Sequence, residues 1–499
     1  MNIPRTIPYP TTRHARTRPE HLAFIESGRL VTYGQLERMI EGAAQRLLAY
    51  ECRNGDRVIL RMRPSVSAAV MIHAIPRLGA VVVPISPSLP DSEWQRTVSL
   101  INPAVVVIDR EAPESISAPT GIPQFEIDMA ALSEEEPPPA SMRGTEDFGC
   151  IDANRLHSIV LTSGTGGVPK GVALSFANHL FSALASGLNL GIRDDDRWLL
   201  NLPIHHIGGL AILIRASLYG STVVVHSRFD VTEMMRAIEQ AHVTHLSLVQ
   251  TTLRQLLNAY PAPRFPQHLR AVLAGGGPVD STLLREASMR GLPLCPTYGM
   301  TETASQVATR PPKLGGQPID DGAPPLPLCD VEIRDGDGRR SDPDCEGTIQ
   351  VRGPMVAMGY WDGSEQVVPF TRDGWFETCD TGSLDRYGRL HVRGRRDRVI
   401  ISGGEKLHAE EVESALRGID GINDAAALGE DDAVWGQALV ALIECDSGSA
   451  ISDVLIRRAL RETLAPYKIP KRIERVDRLP RTGLGKIDYF ALRSMIGSR

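Results

Sequence analysis

No run of apolar residues in this sequence is long enough to cross a membrane; stretches such as 207–214 stop well short of the ~20 residues that a spanning helix needs. C-x-x-C pairs are absent too. The seven cysteines (Cys52, Cys150, Cys295, Cys329, Cys345, Cys379 and Cys445) lie far apart, which argues against a disulfide framework or a zinc site and fits a reducing compartment. The opening MNIPRTIPYPTTRHARTRPEH lacks the apolar core of a secretory signal. These absences predict a soluble, cytoplasmic protein with no integral membrane segment. Positive charge is not in excess: 54 Lys+Arg against 60 Asp+Glu leave a formal charge of −6, which supplies no general field for nucleic acid. Any anion must therefore be bound locally.

What is present is an ordinary globular composition, 42% hydrophobic and 23% charged, on a chain of 499 residues. That length exceeds one hydrophobic core and predicts roughly two to four structural units. Apolar β-branched runs at 104–109, 222–226 and 271–273 alternate with longer helix-like segments, the pattern of an α/β fold. Helical spacing of Leu36, Ile40, Ala44 and Leu47 predicts a helix within 32–50, followed by a strand at 57–60. The Pro, Ser and Glu content of 110–150 reads as a surface connection, and 313–327 is too rich in Gly and Pro for a regular element. Short strands at 331–334, 347–351 and 388–392 read as a small β unit. A helix at 408–417, a strand at 438–443 and a helix at 452–464 make the last hundred residues a compact α+β domain.

Four segments carry chemistry. LTSGTGGVPKGV at 161–172 places Thr162, Ser163, Gly164, Thr165, Gly166 and Gly167 where backbone N–H groups can converge on phosphate oxygens, with Lys170 adding charge. It fits neither G-x-x-x-x-G-K-[ST] nor G-x-G-x-x-G, so neither a P-loop NTPase nor a dinucleotide dehydrogenase is supported, and a Gly/Ser surface loop is the alternative. PTYGMTETAS at 296–305 follows AVLAGGG at 271–277. Tyr298 offers a ring for a base, Thr301 a hydroxyl for phosphate and Glu302 a carboxylate for Mg²⁺, although a turn and helix start would use the same residues. In GWFETCDTGSLDRYGRLHVRGRRD, Asp380 and Arg395 are a polar pair suited to ribose hydroxyls, or else a hairpin turn and a solvated charge. In LPRTGLGKID at 479–488, Lys486 is flanked by glycines; an exposed lysine in a turn is the plain alternative.

Together and in this order, the four segments closely resemble the signatures of the acyl-adenylate-forming superfamily, which includes acyl- and aryl-CoA ligases, peptide-synthetase adenylation domains and firefly luciferase. LGAVVVPISPSLP at 78–90 looks like a further family element, so the resemblance covers essentially the whole chain. It implies a large multi-subdomain N-terminal AMP-binding body at 1–394, a hinge at 395–398 with Asp397 at the hinge position, and a small mobile α+β lid at 399–499. ATP, Mg²⁺ and coenzyme A are the implied cofactors and co-substrates. Adenine is expected near Gly275, Gly276, Gly277 and Tyr298, ribose on Asp380 and Arg395, the α-phosphate on Thr301 and Mg²⁺ on Glu302. The 162–170 loop would hold the β- and γ-phosphates. Lys486 would serve adenylation, and SGGEK at 402–406 the later thioester step.

Within that superfamily, YGMTETASQ and 201–225 look most like the o-succinylbenzoate-CoA ligases of menaquinone biosynthesis, whose substrate carries two carboxylates. The resemblance puts His206 in the acyl pocket with Ser305 and Gln306 beside it, and leaves Arg215 either facing the second carboxylate or on a helix surface. Three positions depart from the pattern: Gly166 replaces a common Thr, His205 a common aromatic residue and Lys406 a common Asn. Ligases for other aryl or medium-chain acids, a carrier-protein-loading enzyme, a non-catalytic nucleotide-binding protein and a luciferase-like oxygenase are the alternatives. The expected partners are the acid, ATP and CoA, with no nucleic acid; a homodimer is compatible with this reading.

Overall fold

The computed structural model describes residues 6–89, 91–109, 121–127, 150–163, 169–277, 279–312, 322–363, 367–370, 373–402, 405–432, 435–445, 451–481 and 487–497. Thr32 caps the helix Tyr33–Ala49: its Oγ1 accepts from Gln35 N while Gln35 Oε1 accepts from Thr32 N, a reciprocal pair that satisfies two terminal amides. The helix buries Leu36, Ile40, Ala44 and Leu47, as their spacing predicts.

Two eight-stranded sheets build the body among the described residues. In one, the strands Arg57–Arg61, Val81–Pro84 and Val105–Asp109 run parallel, and the hairpin Leu156–Ser163/Pro169–Ser175 joins them beside Val81–Pro84. In the other, Thr222–Val225, Arg197–Leu200, His245–Leu248, Ala271–Ala274 and the start of Leu294–Met300 are parallel neighbours. Helices cover both faces of this second sheet. Thr222–Val225 and Ala271–Ala274 are therefore buried at every position and read as largely apolar runs. Their carboxyl ends, at Leu200, Leu248 and Ala274, lie along one edge, where ligands enter sheets of this kind.

One expectation is corrected. The 110–150 stretch is not all surface connection: Gln124–Ile127 is a strand parallel to Val105–Asp109, with Phe125 and Ile127 buried. Their period-two alternation outweighs the Pro-rich flanks.

The four-stranded antiparallel unit consists of Asp330–Arg334, Gly347–Arg352, Phe376–Leu384 and Leu390–Arg395. From Val399 onward the chain builds its own five-stranded sheet, packed on the helices Ala409–Arg417 and Asp453–Thr463. Among the described residues no helix is long and apolar enough to cross a membrane.

Candidate active site

Thr162 and Ser163 end one strand of a hairpin and Lys170 lies at the start of the other. Lys170 pairs across it with Thr162, whose hydroxyl donates to the Lys170 carbonyl at 3.4 Å. Both flanking elements are strands, unlike the strand and helix that flank a P-loop. Gly164, Thr165, Gly166 and Gly167 lie outside the described residues, as does Lys486.

The strand Leu294–Met300 and the turn after it reach three groups. At the first, Tyr298 Oη donates to Asp380 Oδ2 at 2.7 Å, while its ring packs on the cluster around Val307 and Cys329. Burial, with the Asp380 carboxylate beside it, holds the phenol well above its usual pKa, so it remains a donor. Asp380 and Arg395 are register partners on adjacent antiparallel strands, with Arg395 Nε 3.7 Å from Asp380 and 3.2 Å from Asp397. Asp397 itself lies in the short 3₁₀ turn Arg396–Arg398.

At the second, Glu302 sits in the 3₁₀ turn Thr301–Thr303 and accepts from Tyr360 Oη at 2.9 Å. Its other carboxylate oxygen makes no hydrogen bond among the described residues. Lys170 Nζ lies 5.3 Å from the centre of the Tyr360 ring, so this tyrosine links the metal-ligand candidate to the phosphate-loop cation. Sequence reasoning missed Tyr360, which stands in GYW outside the four segments.

At the third, the chain turns sharply, with Ala304 at φ +50° and Ser305 at φ +119°, both in the left-handed region that non-glycine residues avoid. Ser182 Oγ donates to the Ala304 carbonyl at 2.7 Å and Thr303 Oγ1 to that of Ser305 at 3.2 Å, which holds the strained pair in place. Ser305 Oγ then accepts from Arg215 Nη2 at 3.1 Å. The alternative reading of a helix starting at 301 gives way to the single 3₁₀ turn Thr301–Thr303, and Ser305 and Gln306 begin the strand Ser305–Thr309. Gln306 is buried, donates to Thr309 Oγ1 at 3.1 Å and leaves Oε1 without a partner.

Arg215 is not on a helix surface. The helix Ile207–Tyr219 is buried on nearly every side, and Arg215 is 2% exposed, its guanidinium 5.5 Å from the centre of the Trp198 ring. No described carboxylate pairs with it, and its Nε has no hydrogen-bond partner. Burial pushes its pKa below the ordinary arginine value. His206 is the N-cap residue of this helix and is half-buried, its ring 4.6 Å from that of His205. His205 is buried, and desolvation, helped by His206, lowers its pKa to about 3. Lys406 lies in the strand Glu405–His408, opposite Ile401.

The glycines at 275–277 follow the strand Ala271–Ala274. A Cβ on Gly275 would lie 2.7 Å from Thr297 Cγ2, and Gly276 takes φ +80°, so this edge is kept free of side chains beside Thr297. A flat group could approach the backbone there. A cleft of about 330 Å³ lined by Asn54, Arg77 and Arg155 includes none of the expected site residues.

The arrangement offers hydroxyl-binding groups at Asp380 and Arg395, a carboxylate for a cation at Glu302, a cation beside a Gly-rich connection, and an uncompensated buried guanidinium. The AMP-binding enzyme family model matches residues 11–361, and the model of the AMP-binding enzyme C-terminal domain matches 411–486. A 2-succinylbenzoate-CoA ligase from Bacillus licheniformis is 35% identical over 95% of this chain and 97% of its own. The o-succinylbenzoate CoA synthetase of Bacillus subtilis, in complex with its acyl-adenylate intermediate, superposes with a TM-score of 0.85 at 32% identity over 97% of each chain. The same enzyme with ATP and a magnesium ion gives 0.85 at 32% identity, over 97% of this chain and 98% of that one. On this match through both segments, the chain belongs to the AMP-binding enzyme family.

Proposed function

We propose that this chain is an ATP-dependent acid-CoA ligase that activates o-succinylbenzoate as its acyl-adenylate and transfers the acyl group to CoA, with release of AMP. The observation that carries the choice of acid is Arg215, a buried guanidinium with a serine hydroxyl beside it and no described carboxylate to balance it. A buried charge is costly unless it is paired, and a substrate with a second carboxylate would supply the missing partner.

In this reading His206 and Ser305 line the acyl pocket, and Gln306 sits behind Ser305. The adenine lies against Gly275–277 and Tyr298. Asp380 accepts from ribose hydroxyls, and Arg395 donates to them. Thr301 faces the α-phosphate, while Lys170 and the 162–167 segment hold the outer phosphates. Glu302 is the carboxylate for Mg²⁺, which when bound neutralises phosphate charge as the two anions approach. Tyr360 keeps one Glu302 oxygen occupied and so fixes which oxygen faces the cation.

The acid's carboxylate attacks the α-phosphorus and pyrophosphate leaves. Lys486 places positive charge where negative charge develops on the α-phosphate. The thiolate of CoA then attacks the acyl carbonyl, forming the thioester and expelling AMP. The two steps have different nucleophiles, and rotation about Asp397 would exchange Lys486 for the 402–406 loop between them. The change of sheet between Leu390–Arg395 and Val399–Ser402 supports a hinge at 395–398, with a body at 1–394 and a lid at 399–499. A cytoplasmic location suits the co-substrates ATP and CoA, and no disulfide joins the cysteines among the described residues.

The test is AMP release with ATP, Mg²⁺ and CoA against o-succinylbenzoate, benzoate and octanoate. Preference for o-succinylbenzoate is expected. A preference for either monoacid, or turnover that needs a carrier protein in place of CoA, would overturn the assignment.

A further inference from the structure

Arg215 has two neighbours of opposite character. Ser305 Oγ accepts from its Nη2 at 3.1 Å, and the guanidinium lies over the Trp198 ring, 5.5 Å from the centre. Indole is the best of the aromatic faces for a cation, and the attraction grows where water is excluded. Trp198 is 3% exposed. The ring therefore stabilises the buried charge without neutralising it, whereas a carboxylate in its place would do both.

The position of the ring follows from the sheet. Trp198 lies in the strand Arg197–Leu200 and is the register partner of His245 on the parallel strand His245–Leu248. Side chains two apart on a strand share a face, so His245 and Ser247 both meet the indole. The His245 ring stacks on it at 4.8 Å with 27° between the planes, and Trp198 Nε1 donates to Ser247 Oγ at 3.3 Å. His245 is held in turn by Thr244 Oγ1, 2.8 Å from its Nδ1. Burial lowers the pKa of this imidazole to about 4, so it adds no charge beside the indole at neutral pH. Asp196 Oδ1 lies 3.7 Å from His245 Nδ1, but this carboxylate is committed to Arg270 and accepts from Arg193 N at 2.8 Å.

We propose that Trp198 is a positioning residue for acid selection: its ring, fixed by His245 and Ser247, holds the Arg215 guanidinium charged and at a set angle beside Ser305, and so sets the affinity for a substrate with a second carboxylate. The proposal rests on the reading that Arg215 faces that carboxylate. Trp198 is assigned no contact with substrate. It also packs in the apolar core with Leu200, Ile212 and Ala216, so its replacement disturbs packing as well. Combining it with a change at Arg215 separates the two roles.

The experiment is a double-mutant cycle on the full-length enzyme, read as kcat and KM for o-succinylbenzoate and KM for ATP. Trp198→Met fills space but offers no ring, and should raise the KM for o-succinylbenzoate by about 5- to 30-fold, with kcat and the KM for ATP changed by less than about twofold. Trp198→Phe should recover part of the loss. In the Arg215→Met background, the same Trp198→Met change should alter the KM for o-succinylbenzoate by less than about twofold. If Trp198→Met does not fold, replacing all five tryptophans by a fluorinated analogue still decides, since this weakens the ring's attraction for a cation at almost constant volume. It should raise that KM about threefold in the wild type and leave it unchanged in Arg215→Met. Equal losses in both backgrounds, or no loss in either, would overturn the proposal alone. An unchanged KM for o-succinylbenzoate in Arg215→Met would overturn the reading of Arg215 and this proposal with it.

Discussion

Arg215 in the body and the Arg398/Arg417 pair in the C-terminal domain are desolvated arginines treated in opposite ways. In the C-terminal domain, burial acts to lower the pKa of Arg398 and Arg417, but Glu413 and its neighbours more than offset it, and both end above the ordinary value. In the body, Arg215 is desolvated with no carboxylate to compensate and ends below it. A charge that is fully paired inside the protein restrains architecture. One left unpaired in an apolar helix is a cost to the empty protein that an anionic ligand can reverse.

The comparison can be broken most directly from the paired side. Glu413→Ala would take one carboxylate from Arg398 and Arg417, leave Tyr489 Oη and Ala427 N without their acceptor, and should destabilise the C-terminal domain by about 3–5 kcal/mol, read by denaturant unfolding. A loss under about 1 kcal/mol, the range of a surface pair, would remove the distinction. Arg215→Met should do the reverse: folded stability unchanged or raised, but kcat/KM for o-succinylbenzoate reduced by about 2–4 kcal/mol, roughly 30- to 1000-fold. Benzoate turnover should change far less; equal losses would take Arg215 out of the pocket.

Smaller effects sharpen the contrast. Tyr360→Phe removes the hydrogen bond that orients Glu302, and should raise the Mg²⁺ concentration for half-maximal pyrophosphate exchange by about fivefold, the worth of ~1 kcal/mol. The smallest expected effect concerns acid. His73 and His205, held at about 3, and His157 and His245, at about 4, are all buried residues of the body. They stay neutral when folded but take protons in the unfolded chain near the usual 6.5. Stability present above pH 6.5 is therefore lost progressively as the pH falls towards 3–4. His205→Phe should remove one share of this loss, visible as a shallower fall in Tm between pH 6.5 and 4.5.

Much of the candidate site was legible because local chemistry fixed it. The Asp380 and Arg395 pairing follows from a hairpin in which the two residues face each other, and Thr162 and Lys170 face each other across another. The helix Tyr33–Ala49 announced itself by its apolar spacing. What stayed hidden depends on distant partners. Arg215 could be read as a surface residue because one arginine in IGGLAILIRASLY does not reveal that the helix is buried all round. The apolar residues on every face of that segment were the available signal. In the C-terminal domain, the ion pairs and hydrogen bonds joining Arg398, Glu413, Arg417, Asp424 and Tyr489 span more than ninety positions with no fixed spacing.

The segment from Tyr298 to Ser305 meets the proposed ribose, metal and acid sites within eight residues, through a backbone turn held in a strained conformation. Such a segment works as a shared ruler. A substitution that widens the acid pocket by relaxing the turn at Ser305 would also shift the marks at Glu302 and Tyr298. Re-engineering this protein for a different acid should therefore cost nucleotide affinity unless the changes are confined to the Arg215 helix.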